Sequence, residues 1–351
     1  MAEIRNDFSW SFSRHKTFLH PNQLPAGWDP AKCSSIEAWP RDGGDGSVPL
    51  RYTFRAWENM TQSACLRQYY WQYYGYWNGW LRDAPDDARL AYRLKKMTNL
   101  PMWLGDLVHR MIERIIGDLR NRELNSLENY QKQLRAWMNK EWMQSVDKKW
   151  RWKPKYNLNL YEHYYGVEIT KNQRLEARDK AFRCLGNFME SEIFDELAGL
   201  PADAWLSMEQ LEQLEVGGFP FFVKLDLATR SGGITTIYDW KTGRQTADTR
   251  RQLMGYALFA AMHPQWRVPL ENQRLVAFYL DENIVEEHKP LPEDLIDVQD
   301  MILTSMDNMK GLLDSNPEEN RALLENFPMT RNTSMCRSCF FREICFGGDR
   351  S

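Results

Sequence analysis

The sequence lacks the features that would identify a membrane or secreted protein. It has no run of about 18 or more uncharged apolar residues, which a membrane-spanning helix would require. Its N-terminus, MAEIRNDFSWSF, has no apolar stretch of the signal-peptide type. The formal charge is only −3, so the overall charge does not attract nucleic acid, and any polyanion site has to be a local basic patch. We therefore expect a globular cytoplasmic protein without membrane association.

The chain also lacks internal repeats and low-complexity tracts, and its composition divides it into four parts. Of its 351 residues, 43% are hydrophobic and 13% are aromatic, which is enough for a large core in one elaborated domain or two. Residues 1–60 contain an irregular insertion at 19–60 that is rich in Pro, Gly, Ser and Asp. Residues 61–200 are predicted to be mostly helical, residues 201–330 to contain the sheet, and residues 331–351 to form a cysteine-rich segment.

Hydrophobic periodicity predicts an α/β or α+β fold around a small sheet. A helix opened by Pro101 carries apolar residues at helical spacing, namely Leu104, Val108, Met111, Ile115 and Leu119. After Trp205 the period changes to two, and one apolar strand face contains Phe221, Val223, Leu225 and Leu227. The glycine-containing turn SGG at 231–233 separates this run from the strand ITTIYDWK. Helical patterns return in TRRQLMGYALFAAM and at about 292–315, with the strand-like RLVAFYL between them.

The strand ITTIYDWK ends with two opposite charges on one face. Side chains alternate along a strand, so Asp239 and Lys241 point the same way while Trp240 points the other way. A hairpin would bring Asp226 of the preceding strand beside Asp239, and two close carboxylates without a counter-ion repel until one binds a proton. A divalent cation stabilises both as anions, and Mg²⁺ or Mn²⁺ prefers oxygen ligands of this kind. The pattern predicts metal-assisted phosphodiester hydrolysis in which Lys241 orients the attacking water.

A simpler interpretation of the triplet has to be weighed against this one. Asp-x-Lys triplets are common, and an exposed salt bridge at a strand end needs no active site. The neighbouring residues favour the catalytic interpretation, because Gln252 and Tyr256 have i, i+4 spacing and therefore share one face of the helix that follows.

At these residues the chain resembles the PD-(D/E)XK nuclease superfamily, and within it the RecB-like branch. The matching motifs are Asp226, the strand end DWKTG at 239–243, the helical QLMGY at 252–256, and His109 in GDLVHRMIE. The resemblance covers most of the chain. It implies a restriction-endonuclease-like α/β core, which is a small mixed sheet flanked by helices, with an additional helical layer.

The resemblance also implies a role for each matching residue. Four groups would bind Mg²⁺ or Mn²⁺: His109, Asp226, Asp239 and the main-chain carbonyl of Trp240. Lys241 would activate the water, and Gln252 and Tyr256 would position the DNA or the lysine. Judged by its position alone, His109 lies beside the apolar stripe of its helix, where packing or capping is the commoner role.

The cysteines indicate a second metal site. Cys336, Cys339 and Cys345 form a C-x2-C-x5-C pattern that is typical of a metal clip, and we take Cys65 as the fourth thiolate in preference to Cys33 and Cys184. The RecB-like families with an iron–sulfur cluster have the same layout, with one upstream cysteine and C-x2-C-x5-C downstream. The resemblance implies a [4Fe–4S] cluster, although Zn²⁺ also accepts four thiolates, so the spacing leaves both open. Cys184 is predicted to be a buried helical residue. In the resembling families the N-terminal motif, FSWSFSR at 8–14 in this chain, lies close to the first cluster cysteine. Here the insertion separates this motif from Cys65, so Cys33 stays a minor rival as the fourth ligand.

Two groups of residues are candidates for DNA contacts. The segment DKKWRWKPKYN at 147–157 combines basic residues with Trp150 and Trp152, which either stack on single-stranded bases or pack into the core. Arg244, Arg250 and Arg251 flank the motif helix, where they either contact phosphates or solvate the helix.

These observations predict a metal-dependent deoxyribonuclease, most plausibly an exonuclease acting on DNA ends or single strands. The resemblance adds a possible helicase or defence-complex partner. The alternative function is a non-catalytic or weakly catalytic DNA-binding or scaffold subunit of such a complex. An RNase or a structure-specific endonuclease is not separable from the first prediction by sequence.

Overall fold

The computed structural model describes residues 65–216, 219–313 and 322–346. The insertion predicted at 19–60 and Cys33 lie outside these ranges. In the described part the α-helices are α1 (Leu66–Tyr70), α2 (Asp86–Lys95), α3 (Leu100–Asn121), α4 (Leu127–Val146), α5 (Tyr161–Tyr165), α6 (Lys171–Met189), α7 (Glu192–Ala198), α8 (Ala247–Met262), α9 (Pro292–Lys310) and α10 (Arg342–Cys345). None of the helices found there is both long enough and apolar enough to cross a membrane.

The strands form one mixed sheet and one separate ribbon. They are β1 (Trp205–Met208), β2 (Leu211–Val216), β3 (Phe219–Lys224), β4 (Leu227–Ser231), β5 (Ile234–Lys241), β6 (Gln273–Tyr279) and β7 (Ile284–His288). The five-stranded sheet has the order β1-β4-β5-β6-β7, and β2 pairs with β3 in a two-stranded sheet. Strands β5 and β6 are parallel, so they need a crossover, and α8 is that connection.

Helix α3 begins where the sequence predicts a helix. The Asn99 side chain accepts a hydrogen bond from the main-chain N–H of Met102 at 2.9 Å, which caps the free donors of the first turn. Pro101 lies in that turn, where its missing N–H costs no hydrogen bond. The helix predicted at about 292–315 is α9, and it ends earlier, at Lys310.

The apolar strand face predicted from Phe221 to Leu227 is wrong at its end. The extended run is interrupted at residues 225–226, between β3 and β4, and the two strands belong to different sheets. Phe221 and Leu225 pack into the core beneath α8, whereas Leu227 packs on the opposite face of the main sheet. The break shifts the alternation by one residue, which periodicity alone does not reveal because both faces of β4 are apolar and buried.

The main sheet lies between two helical layers. Its first face packs against α8, α9 and the ribbon, and its second face packs against α3, α4, α6 and α7. The alternation along β5 follows this division, since Ile237 lies in the first core while Tyr238 and Trp240 lie in the second. The predicted fold class is confirmed: a small mixed sheet flanked by helices, with additional helices around it.

A third apolar cluster holds the C-terminal segment against the helical part of the chain. Helix α5 donates three side-chain hydrogen bonds to that segment through its tyrosines. The Tyr161 hydroxyl donates to the Arg337 carbonyl. The Tyr165 hydroxyl donates to the Phe340 carbonyl at 2.9 Å, and the Tyr164 hydroxyl donates to Glu343 at 2.5 Å. The aromatic run at 68–80 contributes Trp71 and Tyr76 to the same cluster, as core packing rather than as an exposed surface.

Candidate active site

The hairpin of β4 and β5 brings the two predicted carboxylates together. Leu227 pairs with Tyr238 in the antiparallel register, so the preceding residue, Asp226, lies opposite Asp239. The Asp239 residue is only 3% exposed. The Trp240 side chain points to the other face, where its ring centroid lies 5.3 Å from that of Phe188. The strand geometry predicted from the sequence is therefore present.

Asp226 connects the strand end to helix α3. Its Oδ2 accepts the main-chain N–H of Trp240 at 2.7 Å, which fixes the orientation of the carboxylate. Its Oδ1 lies 3.3 Å from Nδ1 of His109. The structure thus places the helical histidine beside the first predicted carboxylate, and the role of the Trp240 carbonyl as a ligand stays a prediction.

Lys241 is held by a chain of polar side chains on α8. Its Nζ lies 2.7 Å from Asp239 Oδ2 and donates a hydrogen bond to Gln252 Oε1 at 2.8 Å. The Gln252 amide donates in turn to the Tyr256 hydroxyl, which is buried. The i, i+4 spacing of Gln252 and Tyr256 is what aligns this chain on one helix face. Gln252 contacts the lysine directly and Tyr256 contacts Gln252, and their role in positioning the lysine or the DNA stays a prediction.

Asp239 is held in an environment that disfavours its charge. Burial raises the pKa of Asp239 to about 6, and the nearby Asp226 carboxylate adds to this effect, while Lys241 opposes it. Burial alone would lower the pKa of Lys241, but Asp239 and Asp226 outweigh it and raise that pKa, so the lysine is an ammonium ion at neutral pH. The site combines a carboxylate whose ionisation is disfavoured with a fixed positive charge. Perturbed pairs of this kind are found preferentially at functional sites.

His109 carries a proton in the absence of metal. Burial alone would lower its pKa, but Asp226, Glu209 and Asp239 outweigh burial and raise the pKa of His109 to about 10. An imidazole has to be neutral to coordinate a metal ion. A cation that binds at His109 therefore has to displace this proton.

The structure adds one acidic residue that the sequence analysis missed. Glu209, in the turn between β1 and β2, has its Oε1 3.9 Å from His109 Nδ1. The segment SMEQLEQLE contains three glutamates, Glu209, Glu212 and Glu215, and no local pattern distinguishes the one that faces the site. Only the pairing of the strands around the turn selects it.

The donor set fits a hard divalent cation. One ligand atom from each of His109, Glu209 and Asp226 lies within 4.8 Å of the other two. Two carboxylates and an imidazole suit Mg²⁺ or Mn²⁺, and Asp239 lies close enough to Asp226 for their charges to repel. A cation here would relieve that repulsion, so these residues can hold the metal ion expected from the sequence.

Metal binding is expected to release a proton from His109. Because the pKa of His109 is about 10 without metal, titration of the protein with Mn²⁺ at pH 7.5 should displace about one proton per chain. Calorimetry in two buffers with different ionisation enthalpies measures that number. His109→Ala should lose the proton release and should also raise the Mn²⁺ concentration needed for half-saturation. An unchanged proton count in His109→Ala would return this histidine to a packing role.

The candidate DNA-contacting residues separate into two groups. Trp150 is 3% exposed and packs in the third apolar cluster, so the stacking interpretation is wrong for it. Trp152 is 88% exposed and Tyr156 is 71% exposed. Arg250 pairs with Asp294 at 2.8 Å and Arg251 with Asp248 at 2.8 Å, which favours a role in solvating and anchoring α8. Arg244 is exposed in the loop after β5.

The four predicted cluster cysteines come from both ends of the described chain. Cys65 precedes α1, and the three C-terminal cysteines lie at 336–345; all four are half-buried. Burial raises the pKa of Cys336, Cys339 and Cys345, and the charge of Cys65 raises each of them further. Cys65 therefore lies close to the other three. Cys184 is fully buried in α6, as predicted.

Comparison with known proteins supports the assignment of the fold. No curated protein gives a significant match to the chain. A family model described as the PD-(D/E)XK nuclease superfamily matches residues 60–346, which include the hairpin carboxylates, Lys241, His109 and the C-terminal cysteines. The chain therefore belongs to the PD-(D/E)XK nuclease superfamily.

Proposed function

We propose that this chain is a Mg²⁺- or Mn²⁺-dependent deoxyribonuclease of the RecB-like branch, which acts as an exonuclease on DNA ends or single strands. The observation that carries the proposal is the buried Asp239, whose pKa is raised to about 6 beside Asp226 and Lys241. A fold does not gain stability from a carboxylate held in this way, and buried carboxylates with a raised pKa beside a second charged group are found preferentially at functional sites. The superfamily supplies the reaction class, phosphodiester hydrolysis.

Each residue contributes a distinct part of that reaction. A divalent cation held by the carboxylates and His109 would supply a Lewis acid for the scissile phosphate. The Lys241 ammonium, fixed by Gln252 Oε1 at 2.8 Å, offers a hydrogen bond and a positive charge to the attacking water or to the phosphate oxygen. Since it is protonated, it orients and stabilises rather than accepts a proton. The water oxygen forms the new bond to phosphorus and releases a proton to the surrounding solvent, while the bond to the leaving oxygen breaks and that oxygen takes up a proton from solvent.

A cleavage assay separates this proposal from the scaffold alternative. Purified protein with Mn²⁺ should degrade end-labelled single-stranded or double-stranded DNA progressively from an end, and chelation should stop the reaction. Closed circular single-stranded DNA should survive if the enzyme needs an end. Binding of DNA without any cleavage in Mg²⁺ or Mn²⁺ would favour the scaffold function in a complex with a helicase or defence partner.

We further propose that Cys65, Cys336, Cys339 and Cys345 hold a [4Fe–4S] cluster. A tetrahedral zinc ion with Zn–S bonds of about 2.3 Å spaces its sulfurs roughly 3.8 Å apart. In the described part of the chain, no three of the four thiols lie within 4.8 Å of one another. This spacing is wider than the one that a single zinc ion requires, and a cluster of several metal ions spans a larger distance between its cysteine ligands.

Trp152 is proposed as a stacking platform for single-stranded DNA. It is 88% exposed within a segment that carries five basic side chains at 148–155, so it can stack on a base while the cations contact phosphates. Trp152→Ala should weaken binding of a single-stranded oligonucleotide by about tenfold. Trp152→Phe keeps an aromatic face and should retain most of the affinity. Fluorescence anisotropy with Ca²⁺ in place of Mg²⁺ gives the dissociation constant of each of the three proteins, and equal values for Trp152→Ala and wild type would exclude the platform.

A further inference from the structure

Glu209 is fixed by its main chain to the segment that carries Asp226. Its φ of 53° is in the left-handed region, which a glutamate adopts only when the surrounding structure requires it. Its N–H donates to the carbonyls of Leu225 and Asp226, at 3.0 and 3.3 Å. The turn between β1 and β2 is therefore attached to the break between β3 and β4. This attachment fixes the main chain of Glu209 beside that of Asp226.

The two oxygens of Glu209 face different partners. Oε1 lies on the side of His109, at 3.9 Å from Nδ1, and Oε2 forms an ion pair with Lys224 Nζ. The Glu209 side chain is 13% exposed, whereas that of Lys224 is 56% exposed. The carboxylate is thus confined near the metal site, whereas the Lys224 side chain borders solvent.

The charges of the site balance without metal and change when a cation binds. Within the ion pairs of the site, three carboxylates face three cations, namely Asp226, Asp239 and Glu209 with His109, Lys224 and Lys241. A fourth carboxylate, Glu113, forms none of these pairs, but its charge acts on Glu209 and Lys224. A divalent cation adds two positive charges to this arrangement. Lys224 is then the cation with the weakest hold on the site, since it is the most exposed of the three and competes with the metal for the same carboxylate.

We propose that Glu209 is a further metal ligand, and that its carboxylate binds either Lys224 or the divalent cation. Without metal, Lys224 holds the carboxylate. With metal, Glu209 coordinates the cation and Lys224 turns outward, where its ammonium binds a DNA phosphate. The part that concerns DNA rests on the nuclease function proposed above, and the metal part does not.

The metal part is tested by Mn²⁺ binding without DNA. Electron paramagnetic resonance of free Mn²⁺ gives the dissociation constant for each variant. Glu209→Gln should weaken Mn²⁺ binding by about tenfold or more, the effect expected for a group that holds a metal. Lys224→Met should strengthen it, because the competing cation is gone. Glu113→Gln is the matched control: it removes a carboxylate whose charge reaches Glu209 but which is not in the ligand group, and its effect should stay below about threefold.

The competition itself is tested by combining the two changes. In the Glu209→Gln background, Lys224→Met should no longer strengthen Mn²⁺ binding, because the carboxylate that both groups compete for is absent. Equal Mn²⁺ affinities for Glu209→Gln, Glu113→Gln and wild type, in proteins with native melting curves, would overturn the inference. Equal strengthening of Mn²⁺ binding by Lys224→Met in the wild-type and Glu209→Gln backgrounds would also overturn it.

The DNA part has its own measurement. Lys224→Met should weaken DNA binding when Ca²⁺ fills the site and should leave binding in EDTA nearly unchanged, since Lys224 is engaged with Glu209 in the metal-free protein. An equal loss in both conditions would show that Lys224 does not turn outward with metal. If the wild type binds Mn²⁺ with the expected order of variants but cleaves no DNA, the proposed nuclease function fails while Glu209 keeps its place as a ligand.

Discussion

Asp239→Asn should abolish DNA cleavage and at the same time raise the melting temperature of the metal-free protein. The activity should fall by about a thousandfold or more, since a single hydrogen-bond donor to a transition state is already worth about a hundred- to a thousandfold and a metal ligand contributes more. The stability should rise because the buried carboxylate, with its pKa raised to about 6, disfavours the folded state at neutral pH. Asparagine keeps the shape and removes the charge.

The pH dependence of stability identifies the cause. The folded pKa of Asp239 is about 6 and its unfolded value is 3.8, so the folded protein binds the extra proton between these values. This carboxyl therefore makes the metal-free protein less stable as pH rises from about 4 to 6. Thermal melts of wild type and Asp239→Asn should converge at pH 4 and separate above pH 6. A lower melting temperature for Asp239→Asn at pH 7.5 would contradict this account.

Asp226 and Lys241 provide the comparison for activity. Asp226→Asn should lose cleavage as fully as Asp239→Asn, and both should lose Mn²⁺ affinity. Lys241→Met should also lose cleavage but should keep Mn²⁺ and DNA binding, because the lysine acts on the water and not on the cation. Single-turnover cleavage with saturating Mn²⁺ separates these effects, and near-wild-type rates for either aspartate variant would remove the metal assignment.

Cys339→Ser should cause the second large change, the loss of bound iron together with a lower melting temperature. Burial and the charges of the other three cysteines raise the pKa of Cys339 to about 12 without metal, so thiolate ligands at this place depend on a cationic cluster. Protein prepared without oxygen should be brown and contain about four irons per chain. The variant should lose the visible absorbance and melt about 5 °C lower or more, because metal-binding free energy at such a site is folding free energy.

The other cysteines decide the ligand set. Cys65→Ser should behave like Cys339→Ser, whereas Cys33→Ser and Cys184→Ser should keep the iron. Activity should fall in the cluster variants through unfolding, so that residual folded protein cleaves DNA normally. Stoichiometric zinc without iron in an anaerobic preparation would refute the cluster, and iron loss in Cys33→Ser with retention in Cys65→Ser would show that the fourth ligand is Cys33.

The features that sequence predicted correctly depend on short-range periodicity. The pairing of Asp239 with Lys241 follows from alternation along one strand, and the alignment of Gln252 with Tyr256 follows from one helical turn. Glu209 could not be predicted, because three glutamates lie in the same segment and only the contact with residues 225–226 selects one. Trp150 and Trp152 differ by two positions in a basic segment, and their opposite exposure is set by a cluster of distant aromatic residues.

The three tyrosines of α5 have a consequence for the order in which the protein is built. Their hydrogen bonds to the C-terminal segment join residues 175, 176 and 179 positions apart in the chain, so we expect these long-range contacts to form late in folding. The three contacts involve protein groups alone and hold the segment that carries Cys336, Cys339 and Cys345. A metal cluster would therefore enter a pocket that α5 helps to hold in place without the metal.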